Sequence, residues 1–112
     1  MHRSFTVTLT DANTNYNVYD LIKAAAVVQV AGSFIYRYCS LLEFETDVAL
    51  GANVIRIGDK NLSDTNYAHK LAQAQGYTVN PSSSHPNQIH IPDYYVRCNA
   101  AGQTLAILVE AE

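Results

Sequence analysis

Two stretches at opposite ends of the chain alternate apolar and polar residues with a period of two, and this constrains the fold more than any other feature. From Ser4 to Thr10, Phe5, Val7 and Leu9 fall on one side, and Thr6, Thr8 and Thr10 fall on the other. From Thr104 to Glu110, Leu105, Ile107 and Val109 share one side. Successive side chains of a strand point to opposite faces, so each stretch predicts a half-buried β-strand. A chain that begins and ends on strands of this kind has to supply further strands to cover their apolar faces.

The middle of the sequence supplies them. Asp11 to Asn15 is rich in turn formers and ends the first strand. One helix follows: Val18, Leu21, Ile22 and Ala25 lie at i, i+3, i+4 and i+7, one face of a 3.6-residue period. Asn17 is its candidate N-cap, and Asp20 sits in the first turn, where the helix dipole favours an anion. The run Ala24 to Ala31 fits either a longer helix or a buried strand, and the β-branched Val27, Val28 and Val30 favour strand after Ala26. Strand patterns then recur at Ser33–Ser40, Leu41–Thr46, Val54–Ile57, Tyr77–Val79, Gln88–Ile91 and Tyr94–Cys98. Ala68–Ala74 reads as a helical turn or a bulged strand, and Gly51, Ala52 and Asn53 mark a turn. Gly58–Asn66 is a polar loop, and the prolines of Asn80–Asn87 forbid regular pairing there. The expectation is a mainly β fold of about eight or nine short strands, a β-sandwich or jelly-roll-like small barrel, with one short helix near the N-terminus.

At 112 residues, with no linker and no internal repeat, residues 1–112 form a single domain. A chain of that size buries roughly two thirds of its unfolded surface and holds a core without staples. Charged residues make up only 15% of the chain, against about a quarter in an average globular protein. Nine asparagines and eight tyrosines supply much of the missing polarity. The net charge of −3 argues against nucleic acid as a partner, because no basic excess exists to neutralise phosphates. The longest uncharged apolar stretch, Ala24 to Tyr36, has 13 residues and is too short to span a bilayer, so no membrane partner is expected. The alternating N-terminus is not a continuous signal-peptide core, so the mature chain is expected to begin at or near Met1 and to be made in a cytosol. Cys39 and Cys98 are then expected as buried free thiols. Aromatic enrichment with charge depletion is the composition of interface cores, and it points to assembly.

The residues that could carry chemistry each have a plainer structural reading. Asp59-Lys60-Asn61-Leu62-Ser63-Asp64 places oxygen side chains as calcium loops do, yet Asp64 stands where such a loop has Gly and Lys70 where it has Glu. His85 and His90 have half of a zinc spacing, and His2, His69, Cys39 and Cys98 do not complete it in sequence. No Gly-x-Ser-x-Gly elbow and no Gly-rich phosphate loop occur. Cys98 alternates in phase with Val96 and Tyr94, so its thiol points to the core. Glu43, Glu45 and Asp47 fit a solvated face of a strand. No catalytic residue, metal or cofactor is assigned, and an enzyme is not expected.

The segment IRIGDKNLSDTNYAHKL (residues 55–71) reads as a strand ending Ile-x-Ile-Gly, a polar loop with Leu-Ser, then Thr-Asn-Tyr and a Leu, and in this pattern the second half of the chain resembles small β-structured virion proteins of tailed bacteriophages. Gln75-Gly76, a variable polar loop, the Asp-Tyr-Tyr-Val strand at 93–96, Ala101-Gly102-Gln103 and a final alternating strand continue it. The helix with Tyr16, Leu21 and Ile22 fits the N-terminal part. About 60 of the 112 residues match well and the whole chain matches loosely. Ala68 departs from the pattern, which more often has Gly there, so the local backbone is expected to differ.

The resemblance implies a virion structural protein, foremost a capsid decoration (cement) protein. Such a protein is assembled in the host cytoplasm, forms a homotrimer on the capsid surface and binds between major capsid protein subunits. The alternative is a carbohydrate- or receptor-binding or base module of a head fibre or tail appendage. Because aromatic residues concentrate at contacts, the candidate interface residues are Tyr36, Tyr38, Tyr94, Tyr95, His85 and Pro86.

Overall fold

The computed structural model describes residues 2–29, 34, 36–80 and 88–111. Strand β1 (His2–Leu9) and the last strand, β10 (Gln103–Glu110), are the two alternating segments, and they pair with each other. Their antiparallel ladder runs unbroken from His2 opposite Glu110 to Leu9 opposite Gln103. Between them lie β2 (Tyr16–Asn17), α1 (Val18–Gln29), β3 (Tyr38–Cys39), β4 (Leu41–Thr46), β5 (Ile55–Gly58), β6 (His69–Leu71), β7 (Gly76–Val79), β8 (Ile89–His90) and β9 (Tyr95–Cys98). The strands form two four-stranded antiparallel sheets, β1-β10-β4-β7 and β2-β9-β5-β6, and a two-stranded ribbon, β3-β8. The protein is mainly β and β-sandwich-like, with one α-helix among the described residues.

The register explains the core. Residues directly opposite each other on neighbouring strands share a face. In the first sheet, Phe5 faces Ile107, Ile107 faces Phe44, and Phe44 faces Tyr77, a row across all four strands. Phe5, Ile107 and Phe44 are fully buried, whereas Tyr77, on the edge strand, is half-buried. In the second sheet, Val96 faces Ile57 and Ile57 faces His69, so His69 occupies the inner face of the other edge strand. The rings of His69 and Tyr77 stack with centroids 4.3 Å apart and planes 14° apart, which joins β6 to β7 across the gap between the sheets. Cys98, fully buried, and Cys39 are free thiols of this core, as expected of unpaired cysteines, which are among the most buried residues.

Helix α1 starts where the sequence predicts. The Asn17 side chain accepts from the Asp20 backbone N–H (3.2 Å) and donates to the Pro92 carbonyl (2.9 Å). One residue therefore caps the helix and ties it to the 3₁₀ turn at Ile91–Asp93. The far end departs from expectation: the helix continues through Val27 and Val28 to Gln29 and does not become a strand after Ala26. Tertiary contact overrides β-branching here. The Gln29 amide exchanges two hydrogen bonds with the Thr6 backbone, accepting from its N–H at 3.1 Å and donating to its carbonyl, which docks the last turn on β1.

Other boundaries also shift. The strand expected over Ser33–Ser40 is a strand only at Tyr38–Cys39 within the described residues. Phe34 instead lies edge-on against Phe5, Tyr19 and Tyr36, with centroids 5.7, 6.2 and 5.7 Å away. Aromatic packing onto the helix and β1 takes the place of a ladder there. Ala68–Ala74 resolves into the three-residue strand β6. The strand expected at Gln88–Ile91 spans two residues and passes into the 3₁₀ turn, where Pro92 has no N–H to extend it. His85 and Pro86, in the loop expected over Asn80–Asn87, lie outside the described residues.

A tyrosine-lined candidate binding pocket

A cavity of about 420 Å³ opens beside the His69–Tyr77 junction, at the mouth between the two sheets. That lies within the range of small-molecule sites. Its walls include Tyr67, Tyr77 and Tyr94, with Asp59, Asn66 and Asp93 among them. Each wall is held by a different part of the fold.

The Gly58–Asn66 loop forms the first wall. Asp59 starts it with an Asx-turn, its Oδ1 accepting from the Asn61 N–H at 2.8 Å. The Ser63 Oγ accepts from the N–H groups of Thr65 and Asn66, at 3.3 and 3.0 Å. The Asn66 side-chain amide donates to the Asn61 carbonyl at 3.0 Å, which leaves its Oδ1 as a spare acceptor. Leu62 is buried and anchors the loop, and the Asn15 amide donates to its carbonyl at 2.7 Å. A Cβ on Gly58 would stand 3.0 Å from Leu62 Cδ1, so the anchor packs closely against the strand end. Asp64, the other acidic residue of the calcium-like hexapeptide, pairs instead with Arg97 Nε at 3.0 Å and Arg56 Nη1 at 3.8 Å. Polar turn chemistry and arginine pairing account for the oxygen-rich spacing.

Two of the three rings have close partners within the fold. His69 stacks on Tyr77, and the Arg56 guanidinium sits 5.3 Å from the Tyr67 ring centroid. Asp93 lies 3.0 Å from His90 Nδ1, and His90 lies against Tyr38, with ring centroids 4.9 Å apart. Tyr94 follows the 3₁₀ turn, where its carbonyl accepts from the Val18 N–H at 2.9 Å. Burial first, then the neighbouring Tyr77, Asp93 and Cys39, pushes the Tyr94 phenol above its ordinary range. It is therefore a neutral donor at physiological pH. Burial pushes the Cys39 thiol up to about 11, against a smaller lowering by a backbone hydrogen bond from Leu41. A thiol so placed is not an activated nucleophile.

The candidate contact residues divide among separate places. Tyr94 lines the pocket, and Tyr38, 54% exposed, connects to it through His90 and Asp93. Tyr36 is half-buried in the Phe34 cluster. Tyr95 is half-buried on β9, opposite Asn17 and Gly58. Sequence reasoning did not single out Tyr67, Tyr77, Asp59, Asn66 and Asp93 as one site. The pairings of β7 with β4 and of β6 and β9 with β5 bring them together, and no local spacing encodes these pairings.

A second surface lies at the end of α1. Ala24 is exposed, and Val27 and Val28 are 66% and 82% exposed. Among the described residues no group of three or more His, Cys, Asp or Glu side chains is arranged to hold a metal ion. No family model, curated protein or solved structure matches the chain.

Proposed function

We propose that this chain is a bacteriophage virion structural protein: a capsid decoration (cement) protein that forms homotrimers and binds between major capsid protein subunits on the capsid surface. The observation that carries the reading is the bare apolar end of α1. Val27 and Val28 are adjacent valines turned to solvent, in a chain with only 15% charged residues. Burial of such side chains against a neighbouring subunit contributes about 25 cal/mol per Å² of apolar surface removed from water. A standard contact buries about 800 Å² on each partner, and capsid symmetry multiplies it. The resemblance of residues 55–71 to phage virion proteins supports the same assignment.

The test is co-sedimentation with empty capsids. Wild-type chain is expected to pellet with them, and V28E, which adds a charge at an exposed position and leaves the core untouched, to bind at least about tenfold more weakly. V28E pelleting as well as wild type would remove the helix end from the interface. Wild-type chain remaining in the supernatant would overturn the decoration reading.

A second reading, a carbohydrate- or receptor-binding module of a head fibre or tail appendage, is supported by a different observation, the tyrosine-lined pocket.

A further inference from the structure

We propose that the pocket walled by Tyr67, Tyr77 and Tyr94 is a binding site for a neutral sugar. It lies apart from Val27 and Val28, and the inference deepens the carbohydrate-binding reading without depending on capsid attachment.

The polar groups define what the ligand has to bring. Asp59 and Asp93 supply carboxylate oxygens, and Asn66 has a spare Oδ1, so acceptors dominate the wall. The tyrosine hydroxyls are its donors, and that of Tyr94 keeps its proton. A fitting ligand is therefore rich in hydroxyl donors. Among the described residues, no Lys, Arg or His lines the cavity. The two carboxylates in the wall disfavour phosphates, sulfates and acidic sugars.

The rings define the rest. A pyranose has hydroxyls around its edge and a C–H face that lies flat on an aromatic ring, and tyrosine offers that ring with a polar tip. The platforms are held before any ligand arrives: Tyr77 by the stacked His69, Tyr67 by Arg56, and Tyr94 by the turn tethered to Asn17. Holding the site in its bound geometry removes an ordering cost from binding. A cationic ligand fits less well. The Arg56 guanidinium already uses the Tyr67 ring, and His90 already lies on Asp93. At about 420 Å³ the cavity is within the size of sites that enclose small ligands.

The experiment titrates the isotope-labelled full chain with glucose, galactose, mannose and N-acetylglucosamine, following backbone amide shifts. Arginine, choline and sialic acid serve as cationic and anionic probes. At least one neutral sugar is expected to give saturable shifts at Gly58, Asn66, Ala68 and Tyr77, with a dissociation constant on the order of 1 mM. Y77A is expected to weaken binding about tenfold or more, and Y77F, which keeps the ring, to retain it. D59N keeps the loop's Asx-turn and removes one charge. It is expected to weaken binding as well, and it carries the test if Y77A does not fold. Three results would each overturn the inference: none of the four sugars shifts these amides, arginine or choline saturates them at lower concentration, or Y77A and D59N both bind as wild type. Capsid co-sedimentation reads none of these groups, so failure here and failure of the decoration reading are separate outcomes.

Discussion

Arg56 on β5 and Arg97 on β9 stand directly opposite each other, and both reach the same carboxylate, Asp64 Oδ1, at 3.8 and 3.0 Å. Lys70 faces Arg56 from the other side, so three of the chain's seven basic residues form one row across the second sheet. Like charges directly opposite are destabilising. The loop that folds back to place Asp64 between two of them also carries Asp59 and Asn66 into the pocket wall. Charge balance on one face of the sheet thus shapes a site at its edge.

D64N removes that balance. Asp64 is 57% exposed, so solvent screening limits the cost, and a loss of about 1 kcal/mol is expected. Because the arginines then repel each other, the loss should be larger at low salt and shrink as salt is added. Urea unfolding of wild type and D64N at two salt concentrations measures it, and identical curves at low salt would contradict the role given to Asp64.

Asn17 joins the helix start to the turn that holds Tyr94. N17A is expected to cost about 1–2 kcal/mol in chemical denaturation, at the upper end for a helix cap because a tertiary hydrogen bond goes with it. N17D keeps the cap acceptor and loses the donor to Pro92, so it should recover only part of the loss.

The raised thiol of Cys39 and the raised phenol of Tyr94 give stability a definite dependence on pH. Each group binds its proton more tightly folded than unfolded. Their contribution is therefore fully present below the unfolded values of 9.0 and 10.0, and it falls as pH rises through the folded values, to about 11 for Cys39. Stability is expected to decline from pH 9 upward, and C39A to flatten the decline between pH 9 and 11. Denaturant midpoints across that range check it. Native Cys39 should also react slowly with thiol reagents near neutral pH and quickly once the chain is unfolded.

Gly102 turns β9 into β10 with φ of 72°, in open space, and its N–H donates to the Leu9 carbonyl at 2.9 Å. A side chain meets no neighbour there, so the cost of G102A is the backbone conformation alone, about 1 kcal/mol. G102N, a residue that tolerates the left-handed region, should cost less. Thermal unfolding of the two variants measures the difference.

The strands were legible in the sequence where one face alternates. Phe5, Val7 and Leu9, and Leu105, Ile107 and Val109, fall where the period of two places them. The Asn17 cap was legible for a similar reason, since a side chain's bond to its own helix is local. The end of α1 was not, because Gln29 finds its partner at Thr6, 23 residues away in sequence. The pocket was the least legible part. Tyr77 reads as a strand residue like any other, and only its place at the end of the Phe5–Ile107–Phe44 row, facing His69 of the other sheet, makes it a wall. Tyr36 and Tyr95 are interface candidates by residue type alone, and packing leaves both half-buried.

The most direct test of the decoration reading measures two quantities on one preparation: the solution mass of the chain by light scattering, and the temperature at which phage heads release DNA with and without it. A homotrimer that binds the heads and raises the release temperature is the expected result. A monomer that leaves the release temperature unchanged would contradict the proposed function.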